Sequence, residues 1–485
     1  MSIVLGLDVG TTSLSAVAFD CDTRQVVAQL TLPNEGARLA DLPEGLLSAE
    51  LDLACVGRQV TDLLAGIVRA LPAGATVLAI GVTGQQHGMV LLDGDGRPVG
   101  NAITWQDQRT QCRMPGDSRS WLQAFVDDAG GPGAFAAMGC QPAAGFLGPS
   151  LYWWRHQDSR AADNLHVCLI PDAVVSMLTG TAPVTDVTDG GSSGLMDIVT
   201  GDWSWEAVDR LRLPREVFPP VLPAGTPDAP LRKAIADAAG LPQVPVCVAA
   251  GDNQASFAGS VHDPLNTVLV NVGTGGQIST LVPSFSLIAG VETRAFFGNR
   301  YLLVGAGLYG GRAYAYLQEL FQNVGTDFFG QDASLALFET MNRLAALVPP
   351  GSDGLRCVPL FTGTREDPDR RASFTGIGPT NLTPAHMARA LLEGIAEGFY
   401  EQYAAMLPAA GARRLLVGAG NGLTQNPVLA DIVARRFDLP LHLAGDVEAA
   451  ALGAALLAAD GIGVLPLSDG MASISYDRVV NPPEG

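Results

Sequence analysis

The sequence predicts an α/β protein of two similar lobes, and three observations carry that expectation. A strand–turn–strand unit occurs twice, just over half the chain apart. Apolar strand-like runs alternate with helix-like segments along the length. A proline-rich stretch separates the two copies. At about 150 residues per domain, 485 residues allow two large domains or three smaller ones, and the repeat selects two.

The first copy of the unit is Leu5-Gly6-Leu7-Asp8-Val9-Gly10-Thr11-Thr12-Ser13. An apolar strand ends in an acid, a small-residue turn follows, and residues 14–19 form a second β-rich run, which together read as a hairpin. Residues 76–82 read as a buried strand leading into Gly84-Gln85-Gln86-His87-Gly88-Met89. Thr104-Trp105-Gln106-Asp107-Gln108-Arg109 follows another short apolar run. Six prolines between residues 214 and 230 exclude a long helix or a central strand there. Residues 244–250 are a short apolar run, expected to open the second lobe, so the lobes are expected to span 1–245 and 246–485. That run leads into Gly251-Asp252-Asn253-Gln254. The second copy is Leu269-Val270-Asn271-Val272-Gly273-Thr274-Gly275-Gly276, with a β-rich run at 277–282. Residues 383–407 read as a long helix with Thr383 as N-cap and Pro384 at its first position. A strand is expected at 414–418, and helices at 427–437 and 446–459. A unit repeated at this scale indicates duplication; the period is too long for a solenoid.

Composition restricts function. Lys and Arg total 29 against 49 Asp and Glu, a net charge of −20. Phosphate contacts on nucleic acid need a basic surface, so no nucleic-acid partner is expected, and anionic membranes are disfavoured on the same ground. Hydrophobic residues at 47% exclude a disordered chain. The first residues lack a basic n-region, no run of 18 apolar residues occurs, and neither a signal peptide nor a membrane span is expected. The seven cysteines are scattered without a CxxC pair, which fits reduced thiols in the cytoplasm rather than a disulfide framework or a zinc site. A local array of backbone N–H groups still allows small phosphorylated ligands to bind.

Four segments carry chemistry. In the first, Gly10, Thr11, Thr12 and Ser13 present N–H and hydroxyl donors of the kind a triphosphate needs, and Asp8 is placed to organise a hydrated Mg²⁺. A lone turn of this type is more often an ordinary hairpin; the second copy at Gly273, Thr274 and Gly275 turns the pair into a phosphate clamp across a cleft. Asp252, after a buried strand, suits either a helix N-cap or a base that takes a hydroxyl proton. Gln86, His87, Trp105 and Asp107 suit a polyhydroxylated ligand, although a lone histidine is more often structural. Gly418-Ala419-Gly420-Asn421-Gly422, with Gln425 and Asn426 opening a helix, lets a flat ligand approach the backbone but lacks the GxGxxG spacing. The tryptophans at 153, 154, 203 and 205 read as core or lobe-contact residues rather than ligand platforms. The charged run 365–371 reads as a solvated loop, with Arg365 bordering the site.

In order and spacing these segments resemble the FGGY carbohydrate kinases, with a two-lobed actin-like, ribonuclease H-like ATPase fold. Residues 372–393 add a resemblance to that family's C-terminal signature, through Phe374, Gly376-Ile377, His386-Met387 and Ala390-Leu391-Leu392-Glu393. The resemblance implies that Asp252 is the general base and that Asp8 positions Mg²⁺, largely through water. It implies that Gln86, His87, Trp105, Asp107 and Asn253 bind sugar, and that 418–426 cradles the adenosine of ATP. The Thr104–Asp107 and Gly251–Ser256 segments look most like sedoheptulokinases. Gly84–Gly88 is shared with xylulokinases, which commonly carry methionine where Gln86 stands. The expectation is an ATP-dependent ketose kinase acting on sedoheptulose, with D-xylulose or another pentulose as alternative. Gln86 is expected to add a hydrogen-bonding group that suits a longer polyol. An ATP-switched actin- or chaperone-like binding protein and a sugar sensor without phosphoryl transfer are the rival readings; a homodimer is left open.

Overall fold

A computed structural model describes residues 1–157, 165–330, 337–363, 367 and 369–482. Its first sheet grows from β1 (Ser2–Val9), where Ile3, Val4, Leu5, Leu7 and Val9 are all buried, as a central strand covered on both faces requires. β2 (Ser13–Asp20) and β3 (Gln25–Pro33) continue from it as an antiparallel meander. β4 (Thr76–Gly84) lies parallel to β1 on its other side, and β5 (Pro245–Cys247) lies parallel to β4. The order is β3-β2-β1-β4-β5.

The second sheet repeats this plan. β6 (Thr267–Val272), β7 (Gly275–Val282) and β8 (Arg300–Tyr309) form the meander, and β9 (Leu415–Ala419) and β10 (Leu441–Ala444) add in parallel beside β6. The order is β8-β7-β6-β9-β10. The duplication seen in two turns thus extends through both sheets. Edge strands complete them: Pro227–Pro230 beside β5, Glu292–Phe296 beside β8 and Tyr476–Val480 beside β10. The proline-rich segment contributes only an edge strand, because proline has no N–H for an inner ladder.

One boundary differs from expectation. The run at 244–250 completes the first sheet instead of opening the second lobe: β5 pairs with β4, and Ala250–Gly251 pairs with Thr83–Gly84. A division between residues 245 and 246 therefore cuts a strand of the first sheet. A buried apolar run has no mark of the sheet it will join.

Three helices matter for the site. α1 (Asp252–Ser260) follows the first sheet, α2 (Pro384–Ala410) backs the second, and α3 (Ala449–Gly461) follows β10. The hydroxyl of Thr383 caps α2 by accepting from the His386 N–H, as expected. α3 lies against the first sheet, although its chain comes from the second. A Cβ on Gly6 would stand 1.8 Å from the Ala451 carbonyl oxygen, and one on Gly81 2.0 Å from that of Ala454. α1 and α3 approach as closely, since a Cβ on Gly453 would stand 1.9 Å from the Ala255 carbonyl oxygen. Phe257 and Ala258 of α1 join Leu269, Leu302 and Val417 of the second sheet in one apolar cluster with Val4, Ala79 and Ala451. The lobes are thus tied through two exchanged, small-residue helices.

Residues between 89 and 221 build a separate aromatic cluster around Trp121, Phe125, Tyr152 and Trp203. Trp153, Trp154 and Trp205 pack against it, so the expected core role of the tryptophans holds. Among the described residues, no helix is long and apolar enough to cross a membrane.

Candidate active site

Strand register brings the two predicted acids together. Asp8 of β1 stands opposite Thr83 of β4, and Thr83 stands opposite Ala250, two residues before Asp252. Both carboxylates therefore emerge at the same edge of the first sheet. They line a cleft of about 900 Å³ shared with Thr11 of the first hairpin and Asn271, Gly273 and Gly275 of the second. The two turns belong to different sheets, and the exchanged helices hold them on one cleft.

The electrostatics of the two acids differ. Burial pushes the Asp252 carboxyl up to about 6, opposed by the Arg294 guanidinium and by the Asn253 N–H. Burial, the like charge of Asp252 and that of Glu448 push Asp8 up to about 8. Asp8 Oδ1 is buried with no hydrogen-bond partner among the described residues. A carboxylate near pH 6 suits proton abstraction at neutral pH. An orphaned buried carboxylate oxygen beside a second acid suits a cation.

Behind Asp252 lie three further buried acids. Asp186 accepts from the Thr188 N–H and hydroxyl and from the Ala224 N–H. Burial and neighbouring Asp172, Asp252 and Asp186 hold Asp189 well above the carboxylate range, and burial raises Asp172 to about 8. Thr188 is the keystone of this layer. Its hydroxyl accepts from Gly251 N–H at 3.1 Å, and its carbonyl accepts from the side-chain amides of Gln86 and Gln254.

The predicted sugar residues are brought together but do different work. His87 has φ +76°, a left-handed conformation rare for a non-glycine residue. It is held by Ser192, whose hydroxyl accepts from the His87 N–H and whose carbonyl meets Nδ1 at 2.9 Å. Its ring stacks on Phe146 with centroids 4.2 Å apart. Trp105 is 45% exposed, and its Nε1 donates to Thr11 Oγ1 at 3.0 Å, linking the sugar side to the phosphate hairpin. Asn253 donates to Gln277 Oε1 at 2.7 Å, and its buried Oδ1 has no partner among the described residues.

Two expectations change. Gln86 does not offer its amide to a polyol: both N–H donors are taken by Thr188 O and Gln254 Oε1, and Arg294 Nη1 donates to its Oε1 at 3.3 Å. Asp107 does not offer its carboxylate either. Oδ1 accepts from the Arg109 N–H and Nε, and Oδ2 from the Ala49 N–H and Arg109 Nη2, all at 2.8 Å, which fills the usual four acceptor positions. Both residues line the cleft yet shape it through others.

Of the hairpin residues, Gly10, Thr12, Ser13 and Thr274 stand in or beside the turns but not on the cleft wall. The Gly418–Asn426 segment also lies off that wall. Gly420 and Gly422 press on Val272 at the end of β6, beside the second hairpin, and Ala419 and Asn421 flank that contact. Asn426 Oδ1 caps the following helix by accepting from Val428 and Leu429, and Gln425 is exposed just before it. Arg365 lies outside the described residues.

The main residue that sequence reasoning missed is Arg294. It lines the cleft, pairs with Glu292 at 2.6 Å and bonds Gln86. Its segment, Glu292-Thr293-Arg294-Ala295-Phe296, alternates like any edge strand and gives no local signal. Gln254, within a noted motif, holds the Ala295 carbonyl at 3.0 Å and so ties α1 to that strand.

Comparison with known proteins decides the family. Residues 3–259 match the N-terminal domain, and residues 288–461 the C-terminal domain, of the FGGY family of carbohydrate kinases. The chain belongs to the FGGY family of carbohydrate kinases. This FGGY kinase is 30% identical to the glycerol kinase of Trichlorobacter lovleyi, over 96% of the chain and 90% of that protein. It is 28% identical to human sedoheptulokinase, over 94% of the chain and 97% of that protein. It is 25% identical to the xylulose kinase of Lactococcus lactis, over 96% and 89%. The crystal structure of a xylulose kinase from Rhodospirillum rubrum covers 99% of the chain and 94% of its own, with 27% identity and a TM-score of 0.84. The fold is the two-lobed actin-like ATPase fold. The protein is a phosphotransferase with an alcohol acceptor on a small sugar substrate, and ATP is the phosphate donor. The rival reading as a switched binding protein falls with that assignment.

Proposed function

We propose that this kinase phosphorylates the terminal primary hydroxyl of a ketose, with sedoheptulose as first candidate and D-xylulose or another pentulose as second. The observation that carries the choice of a longer sugar is the lining of the cleft. Besides His87, it includes the small residues Ala143 and Ala144 and the amides of Gln106, Gln108 and Gln111. Small walls leave room, and side-chain amides both donate and accept. A three-carbon polyol has fewer hydroxyls with which to engage these amides.

In this reading, Asp252 accepts the proton of the attacking hydroxyl as its oxygen meets the phosphoryl group. Arg294, fixed by Glu292 and Gln86, keeps part of the Asp252 population charged. Asn253 Oδ1 accepts from a neighbouring sugar hydroxyl, and His87 closes the pocket over Phe146. Donor groups of the two turns, at Thr11 in the first and Gly275 in the second, line the cleft and receive charge that develops on the phosphoryl oxygens. The Gly418–Asn426 segment carries the adenosine side. Asp8 fits Mg²⁺: its buried Oδ1 has no partner among the described residues, and Mg²⁺ favours one or two carboxylates together with phosphate oxygens and water. When bound, the ion would neutralise charge on the phosphates. Seven free thiols agree with the reducing cytoplasm as its location.

A coupled ADP-release assay over C5 to C7 ketoses and glycerol tests the reading through kcat/KM. Sedoheptulose is expected to give the highest value. Glycerol outrunning every ketose would overturn the proposal.

A further inference from the structure

A second cavity, of about 520 Å³, lies in the first lobe on residues that do not line the catalytic cleft. Its walls come from three helices, Leu53–Arg69, Ile170–Thr179 and Lys233–Ala239, and from the turn at 96–98. Val174, Met177 and Ile235 make an apolar floor. Gly57 opens the space above it, since a Cβ there would stand 2.5 Å from Met177 Cε. Arg58 and Arg232 stand on the walls, and neither guanidinium has a hydrogen bond or ion pair among the described residues. Arg97, paired with Asp95 at 3.3 Å, adds positive charge, and Asp62 is the one acid on this lining. Arg58 and Asp62 sit four residues apart on one helix yet form no ion pair.

This combination is unusual in a chain of net charge −20. Uncommitted guanidinium groups recognise carboxylate, phosphate or sulfonate through paired N–H donors. An apolar floor of aliphatic and thioether side chains takes a ring or a short acyl body and offers nothing to sugar hydroxyls. We propose that this cavity is a binding site for a small organic anion with an apolar body, separate from the catalytic cleft. The anionic head meets Arg58 and Arg232, and the body rests on Val174, Met177 and Ile235.

The helix Ile170–Thr179 has this floor on one side. Asp172, which belongs to the buried acid layer behind Asp252, lies on the opposite side at helical spacing. The helix therefore lies between this cavity and the buried acid layer, and no residue lines both cavities.

The test uses the full-length enzyme and the fluorescent anion 1-anilinonaphthalene-8-sulfonate. The expected result is one saturable site that persists with ATP and sugar present. Arg58→Ala combined with Arg232→Ala should weaken it at least tenfold while kcat stays unchanged. The uncharged parent, N-phenyl-1-naphthylamine, should bind the unaltered enzyme at least tenfold more weakly than the sulfonate. Displacement by ATP or sugar, equal binding by the double variant, or equal binding of the uncharged parent each overturns the proposal. Both arginines are solvent-exposed, so the variants are expected to fold, and unchanged kcat verifies it.

Discussion

Asp252 concentrates the chemistry in one carboxyl group. Burial raises it to about 6, while Arg294 and a backbone N–H hold it from rising further. As a base it works only when deprotonated, so kcat/KM for the sugar should rise roughly tenfold per pH unit below about 6 and level off above. Asp252→Asn should lower kcat by about 10²-fold or more. A pH–rate series on both proteins checks this; near-normal turnover in the variant excludes Asp252 as the base. Asp8 yields a prediction on stability. Its carboxyl lies near 8 in the folded protein against 3.8 in a free chain, so folding takes up a proton. That contribution is fully present below about pH 4 and is lost as pH rises through about 8. Without nucleotide, the melting temperature of Asp8→Asn should fall less than that of the unaltered protein between pH 5 and 8. Scanning calorimetry at several pH values reads it, and parallel curves would sink the assignment. Asp8 and Asp252 stood out in the sequence because each acid comes at the end of an apolar run. The role of Gln86 did not, because the groups that occupy it, Thr188 and Gln254, are remote in sequence. Asp107 is filled mainly by Arg109, two residues on, and only the Ala49 N–H comes from afar.

At the scale of elements, the two hairpins and the exchanged helices decide the geometry. Strand–turn–strand patterns were readable because their periodicity is local, and helix 383–407 because its cap is local. The strand β5 was readable as a strand but not as a member of the first sheet. Exchange of α1 and α3 between lobes left only an indirect trace, the glycines at 6, 81, 259 and 453. Each glycine admits a carbonyl oxygen to about 2 Å from where a Cβ would stand. Gly453→Val should therefore destabilise the protein by on the order of 3 kcal/mol, because the contact is with backbone and cannot yield by rotamer change. Urea unfolding would show it as a lower midpoint. An unchanged midpoint would mean that α1 and α3 pack more loosely than the carbonyl contacts imply.

For the whole molecule, charge and closure matter. The net charge of −20 offers no attraction to ATP or to a sugar phosphate, so phosphate capture rests on local N–H groups and a cation. Salt should screen a repulsion rather than an attraction. The value of kcat/KM for Mg-ATP should stay level or rise as ionic strength increases to about 0.3 M, where the Debye length has shrunk below 10 Å. A steep fall, seen in initial-rate assays, would point to a basic steering surface that the composition does not contain. Both acids, both turns and the two-lobe plan could be read from residue order, because they rest on local periodicity and an internal repeat; the carbohydrate-kinase class came from the family resemblance of those segments. Folding alone settled that β5 completes the first sheet, that Arg294 reaches Gln86, and that Gln86 acts through other groups. Those facts depend on contacts between segments far apart in the chain, and one-dimensional order does not encode which distant donor will fill a given acceptor.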